Sequence, residues 1–198
     1  METLAYILDK FQVLPNAASP IRLPISRWTD FPQLLKELGF KTGAEIGVYR
    51  GQFTVALATC GLRVYGIDAW TPYAGYKDFQ GQEVFDAAYA HACRKTASFD
   101  IQLIKKWSLE ALDDFENESL DFVFIDGNHD FEHVVADTAG WARKVRKGGI
   151  VSGHDFFDRD HGLAYGVRYA IPAWCTANRI SPWFLVKRDK CPSWFYVK

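Results

Sequence analysis

Apolar residues recur along this chain with two periods, one suited to helices and one to strands. Near the N-terminus Leu4, Ile7, Leu8 and Phe11 share one helical face, after which Pro15, Pro20 and Pro24 keep the backbone extended as far as Ile25. Asp30 and Pro32 mark the start of a helix over roughly Phe31 to Leu38, closed by Gly39. From there strands and helices alternate. Ala44, Ile46 and Val48 carry a strand, Gly47 and Gly51 punctuate a turn, and Phe53, Ala56, Leu57 and Cys60 return at helical spacing. Arg63 to Asp68 reads as a second strand. Gln82 to Thr96 reads as a helix with Phe85, Ala88, Tyr89, Ala92 and Cys93 inside, and Ile101 to Lys105 as a third strand before a helix that opens with Leu109 and Glu110. Leu120 to Asp126 is the most hydrophobic strand, and so continuous an apolar run belongs at the centre of a parallel sheet covered on both faces. Phe131, Val134, Val135, Thr138, Ala142 and Val145 then predict one long helical face, ended by basic residues and Gly148-Gly149. Ile150 to Ser152 gives a fifth strand and Ala164 to Ala177 a last helix.

The end of the chain breaks the alternation. Trp183 to Lys187 and Ser193 to Val197 are two strands whose connection, Arg188 to Pro192, is too short for anything but antiparallel pairing. Five strand-helix units closed by a hairpin define an α/β fold, whereas a dinucleotide-binding sheet would more naturally add a sixth parallel strand. Residues 1–40 read as a helical N-terminal extension, a cap able to cover the mouth of a site, and residues 41–198 as the catalytic or binding domain.

Composition narrows the classes. The chain has 198 residues, 48% hydrophobic and 24% charged, with a formal net charge of -1, which is globular and offers no basic groove for nucleic acid. Aromatic residues at 16% exceed what core filling needs and suggest pocket lining or an interface. Cys60, Cys93, Cys175 and Cys191 form no C-x-x-C pair, so neither a zinc knuckle nor a disulfide framework is indicated. The stretch METLAYILDKFQ carries no basic leader, and no apolar run approaches transmembrane length; a cytoplasmic protein without membrane association is expected.

The chemistry begins in the turn after the first strand of the alternating series. A dinucleotide fingerprint places glycine where this chain, in Glu45-Ile-Gly47-Val-Tyr-Arg-Gly51, has a carboxylate. Glu45 would repel a pyrophosphate and welcome a cation. About 20 residues past Gly47, Asp68 ends the second strand where an acid can accept both ribose hydroxyls of an adenosine. On these residues and the terminal hairpin the chain resembles the class I S-adenosylmethionine-dependent methyltransferases. The resemblance implies a Rossmann-like, mostly parallel seven-stranded sheet with a C-terminal antiparallel hairpin and helices on both faces. It also implies S-adenosylmethionine as cofactor, held by Glu45, Gly47, Tyr49, Gly51, Asp68, Trp70, Trp107, Ser108 and Asp126. Trp70, Tyr73 and Tyr76 lie in an aromatic loop that could wall a substrate pocket or only pack the loop down.

The sharpest part of the resemblance is residues 125–156, IDGNHDFEHVVADTAGWARKVRKGGIVSGHDF, which look like a small-molecule O-methyltransferase subfamily. In some relatives acids at these two strand ends hold magnesium, which lowers the pKa of the acceptor hydroxyl. Carried over, Asp126 and Asp155 match ligand positions and His154 replaces an acid, so the metal-binding candidates are Asp126, His154 and Asp155, with magnesium or manganese. A histidine suits manganese, iron or zinc at least as well as magnesium. The rival is metal-free catalysis, in which His129 or His154, beside Asp126, takes the proton. His129 and His133 make an H-x-x-x-H spacing, but without an intervening Glu the metalloprotease reading is poor and His133 reads as a solvated face. The leading expectation is methyl transfer to oxygen of a small-molecule acceptor, with no nucleic-acid partner; a homodimer stays open. A degenerate member that binds cofactor or a partner is the alternative, and an NAD-dependent oxidoreductase is disfavoured by Glu45 and the hairpin.

Overall fold

A computed structural model describes residues 2–14, 16–72, 81–157 and 165–198. Its central strand shows why the most apolar run sits where it does. In β5 (Leu120–Ile125), Phe122 and Phe124 face one layer of core, while Val123 and Ile125 face the other. Both faces need apolar side chains because both are covered. On the first face lie α1 (Thr3–Lys10), α2 (Asp30–Glu37) and α3 (Gln52–Thr59), which bury Ile7, Phe31, Leu34, Leu35, Phe53 and Leu57. On the second lie α5 (Ser108–Ala111), α6 (Phe131–Lys144) and α7 (Tyr165–Ala177), contributing Ala111, Val134, Trp141, Val167 and Ile171. The helix α4 (Gln82–Thr96) packs beside α3 and buries Ala88 and Ala92.

The remaining strands are β1 (Ile21–Leu23), β2 (Thr42–Ile46), β3 (Arg63–Asp68), β4 (Ile101–Lys105), β6 (Val145–Gly153), β7 (Trp183–Val186) and β8 (Ser193–Val197). They form one sheet in the order β1-β7-β8-β6-β5-β2-β3-β4. The last strand, β8, inserts antiparallel between β6 and β7, and the other pairings are parallel. This is the expected Rossmann-like class I sheet with its terminal hairpin, extended by one strand: β1 pairs with β7, placing Ile21 opposite Phe184. Residues 2–40 thereby share the domain's sheet and its first core layer. After β4 the chain crosses back to lay β5 on the other side of β2, so the sheet grows in opposite directions from β2, and the strand ends at Ile46, Asp68 and Ile125 lie side by side at this switch point.

Three expectations need correction. The helix expected to run through Val145 stops at Lys144, because Val145 already pairs with Leu120 as the first residue of β6. The inner face of α6 is also rotated: Phe131 is exposed, and Val134, Asp137, Thr138 and Trp141 are buried instead. On α4, Cys93 is exposed and Thr96 takes the inner position.

Candidate active site

Where β2 ends, backbone geometry dictates the residue. Gly47 has φ 90°, and a Cβ on it would fall 2.1 Å from the carbonyl oxygen of Asp126. Its N–H donates to Ile67 O (2.8 Å), and Asp126 N–H donates to Ile46 O (2.7 Å), so the turn is stitched to the ends of β3 and β5. Asp68 organises the next residues. Its Oδ2 accepts the Tyr49 N–H (2.9 Å), its Oδ1 accepts the Trp70 N–H (2.7 Å), and Trp70 Nε1 donates to Tyr49 O (2.8 Å). Burial raises the Asp68 pKa, opposed by those amides. Gly51, at φ 75°, then caps α3, and no side chain caps the helix's first amides.

Glu45 lies one residue below the end of β2 and is buried, with the Thr54 hydroxyl of α3 donating to its Oε2. Burial pushes its pKa up to about 8, and the Thr54 bond only partly offsets this. A carboxyl held this way ionises readily when a cation arrives and disfavours a second anion.

At the end of β4, Trp107 is exposed and Ser108 is not free-standing. Ser108 Oγ donates to Asp137 Oδ1 (2.5 Å) and accepts the Trp141 Nε1–H (2.9 Å), which ties the β4 end to α6. Burial pushes the Asp137 carboxyl up to about 6, although the Ser108 hydroxyl opposes it.

The ends of β5 and β6 supply a second, charged cluster. Asp126 Oδ1 lies 3.6 Å from His129 Nε2 and 3.5 Å from His154 Nδ1. Asp155 lies closer, with Oδ2 2.8 Å from His129 Nε2 and Oδ1 3.0 Å from His154 Nδ1. Asp155 turns back to the histidines because its φ is 56°, a left-handed conformation uncommon outside glycine, asparagine and aspartate. The other Asp126 oxygen, Oδ2, accepts from Arg27 Nη1 (3.1 Å), whose guanidinium stacks 4.4 Å from the Trp28 ring centroid. Burial opposes charge on both imidazoles, but hydrogen bonds to the two carboxylates outweigh it and lift His129 to about 10 and His154 to about 9. The same contacts outweigh burial to hold Asp155 down at about 2 and Asp126 well below the usual carboxylate range.

A glycine turn at a buried acid, an adenosine-placed acid on the neighbouring strand and a charged cluster at the next two strand ends now stand together. A family profile described as a methyltransferase domain matches residues 44–156, more than half of the chain and all of these features. The chain belongs to the class I S-adenosylmethionine-dependent methyltransferases. Solved structures agree in fold. A Bacillus cereus O-methyltransferase in complex with S-adenosylhomocysteine aligns over 100% of this chain and 91% of its own at 19% identity, TM-score 0.63. The O-methyltransferase TomG of Streptomyces achromogenes, in complex with S-adenosylmethionine, aligns over 100% and 90% at 17% identity, TM-score 0.64. An uncharacterized Sinorhizobium fredii protein, y4gI, is 33% identical over 111 residues. The match takes in 55% of this chain and spans 12% of that much longer protein. No helix of the methyltransferase, among the described residues, is long and apolar enough to cross a membrane.

The fold brings Glu45, Gly47, Tyr49, Gly51, Asp68 and Asp126 to one crevice, and Asp126, His129, His154 and Asp155 to its far wall. Trp70 lies elsewhere: its ring is fully buried against Tyr89, so it supports the Tyr49 turn from behind instead of presenting a face to the crevice. Tyr73 and Tyr76 lie outside the described residues. His133 is exposed, and His129 precedes α6, so the two do not share a helical face. Sequence reasoning missed Arg27 and Asp137. Nothing local marks Arg27, whose partner is 99 residues away. Asp137 did leave a signal, an acid within the Val134, Thr138 and Trp141 stripe.

Proposed function

We propose that the chain transfers the methyl group of S-adenosylmethionine to an oxygen of a small-molecule acceptor. The observation that carries the reading is the direct contact of the two regions at Gly47 and Asp126, which puts the charged cluster beside the cofactor turn. Glu45 meets the cofactor's amino-acid end, Gly47, Tyr49 and Gly51 let the backbone approach, and Asp68 accepts from the ribose. Trp107 and Ser108 lie at the adenine, with Asp137 and Trp141 holding the Ser108 hydroxyl in place. The cofactors bound by the Bacillus cereus and Streptomyces relatives, both O-methyltransferases, support both the cofactor and the acceptor atom.

Methyl transfer is an in-line displacement. As the acceptor oxygen bonds to the methyl carbon, the carbon–sulfur bond breaks, its electron pair leaves on sulfur, and the sulfonium becomes a neutral thioether. The protein's main task is alignment. The acceptor's hydroxyl proton goes to the cluster, where His129 or His154 accepts it as the neutral imidazole, a form that Asp126 and Asp155 make scarce and that grows as pH rises towards 9. Asp126, His154 and Asp155 would also hold a divalent cation, which when bound supplies a lowered pKa at the acceptor hydroxyl. Their donor atoms fit: donors around a cation at about 2.0–2.2 Å stand about 3.0–3.6 Å apart, and His154 Nδ1 lies 3.0 Å and 3.5 Å from Asp155 Oδ1 and Asp126 Oδ1. Residues 1–40 act as a cap that delivers Arg27 to the acceptor wall.

The test is incubation with isotopically labelled S-adenosylmethionine and a panel of hydroxyl, phenol and carboxylate acceptors, with and without magnesium or manganese. Label in an oxygen-methylated product with equimolar S-adenosylhomocysteine is the expected result. Cofactor binding with no transfer to any acceptor class would favour a degenerate binding member instead.

A further inference from the structure

We infer that the cluster at the ends of β5 and β6 selects a first-row transition-metal dication over magnesium, with His129 as a fourth ligand beside Asp126, His154 and Asp155. This rests on the divalent-cation part of the reading above and narrows it. With the cation in place, His129 and His154 are ligands and not bases.

The donor set comes first. Magnesium is bound through oxygen and keeps much of its water, whereas imidazole suits manganese, iron, cobalt and zinc. Two imidazole nitrogens and two carboxylates converge here. His129 Nε2 lies 2.8 Å from Asp155 Oδ2 and 3.6 Å from Asp126 Oδ1, and the ligand atoms of Asp126, His129 and Asp155 all fall within 4.8 Å of one another. His154 Nδ1 approaches the same two carboxylates, meeting Asp155 through its other oxygen, and its ligand atom groups with those of Asp155 and Cys191, so Asp155 joins the two sets.

The groups behind the ligands point the same way. His154 Nε2 lies 3.3 Å from the Cys191 carbonyl oxygen, which can only accept, so Nε2 carries a hydrogen. Nδ1 is then the nitrogen turned to the two carboxylates, where a proton or a metal cation can lie between them. A histidine ligand anchored through its second nitrogen to a backbone carbonyl is the usual outer-shell arrangement of metal sites. Asp126 is prepared in the same manner. Arg27 Nη1 holds Oδ2, leaving Oδ1 to face both histidines. The Asp126 and Arg27 side chains are 20% and 13% exposed, so the pair is sheltered but reachable from the crevice. Each of these outer contacts comes from a distant part of the chain: Arg27 precedes α2, and Cys191 lies between β7 and β8.

The test uses the full chain without a histidine tag, stripped with chelator. It is incubated with one equivalent of manganese, cobalt or zinc in hundredfold excess magnesium, desalted, and analysed for metal per chain by mass spectrometry. The expected result is retention of about one transition ion per chain, with visible absorption bands for the cobalt form. His129→Ala and His154→Ala each lower retention at least tenfold, while His133→Ala, on an exposed position, does not. Retention of magnesium alone, of no ion, or of an ion that neither His129→Ala nor His154→Ala reduces would overturn the inference. The wild-type competition needs no variant, and circular dichroism melts show whether each variant is folded. Calorimetric titration of the stripped chain with S-adenosylmethionine separates the two levels: cofactor binding without metal retention overturns this inference alone, and loss of both overturns the methyltransferase reading with it.

Discussion

The cofactor turn and the acid–histidine cluster meet at Gly47 and Asp126, yet they are built in opposite ways. The turn is continuous chain, residues 45–51, held by backbone hydrogen bonds and one buried carboxyl, and Asp68 contributes through two amides. The cluster is assembled from side chains of separate segments: Arg27 before α2, Asp126 and His129 after β5, and His154 and Asp155 after β6. A turn of the first kind specifies shape and fits any ligand with that backbone. A cluster of the second kind specifies charge and ligand type, so it can change acceptor or metal by exchanging single residues. That difference fits a chain only 17–19% identical to O-methyltransferases of known structure that nevertheless keeps their fold.

The largest effect is expected from removing the charge the two regions share. Asp126→Ala leaves the Arg27 guanidinium without its carboxylate and both imidazoles with Asp155 alone, and kcat/KM should fall by about 1000-fold, on the order of 4 kcal/mol; steady-state kinetics check it. Next is shape. Gly47→Ala forces a methyl into the Asp126 carbonyl and should destabilise by about 3 kcal/mol or more, measured by urea unfolding. Gly39→Ala, with φ 76° but open space around it, should lose only about 1 kcal/mol. Equal losses at the two glycines would mean that the Gly47 contact carries no weight.

The turn was legible before the structure because its signal is local: a carboxylate, two glycines and a helical repeat within a few residues. The central place of β5 was legible for the same reason, since it shows its double burial as an unbroken apolar run. The eighth strand was not. Ile21-Arg22-Leu23, between Pro20 and Pro24, is too short to show a period, and it is a strand only because β7 offers an edge. Val145 belongs to β6 through its pairing with Leu120, a tertiary contact that overrode a helical repeat. In the cluster, Asp126, His154 and Asp155 were visible as strand-end residues. Arg27 was invisible, since only the fold carries residue 27 to residue 126.

Smaller effects sharpen the comparison. Arg27→Gln keeps the turn intact but removes the cap on Asp126 Oδ2, so turnover should drop about tenfold while S-adenosylmethionine affinity stays within about threefold. For Glu45, burial raises the folded-state pKa to about 8, above its unfolded value. The native state therefore binds the proton more tightly, and this stabilisation is present below about pH 4.5 and is lost as pH rises towards 8. Thermal unfolding should show the wild type losing stability between pH 5 and pH 8 relative to Glu45→Gln, whose amide does not titrate. A parallel pH dependence in both proteins would remove Glu45 as the source.

The division of labour between turn and cluster is tested most directly by calorimetric titration with S-adenosylmethionine of the wild type, Glu45→Ala and Asp155→Ala. Binding that Glu45→Ala weakens at least tenfold and Asp155→Ala changes by less than threefold is the predicted result. A wild type that does not bind, or an Asp155→Ala loss as large as that of Glu45→Ala, would contradict it.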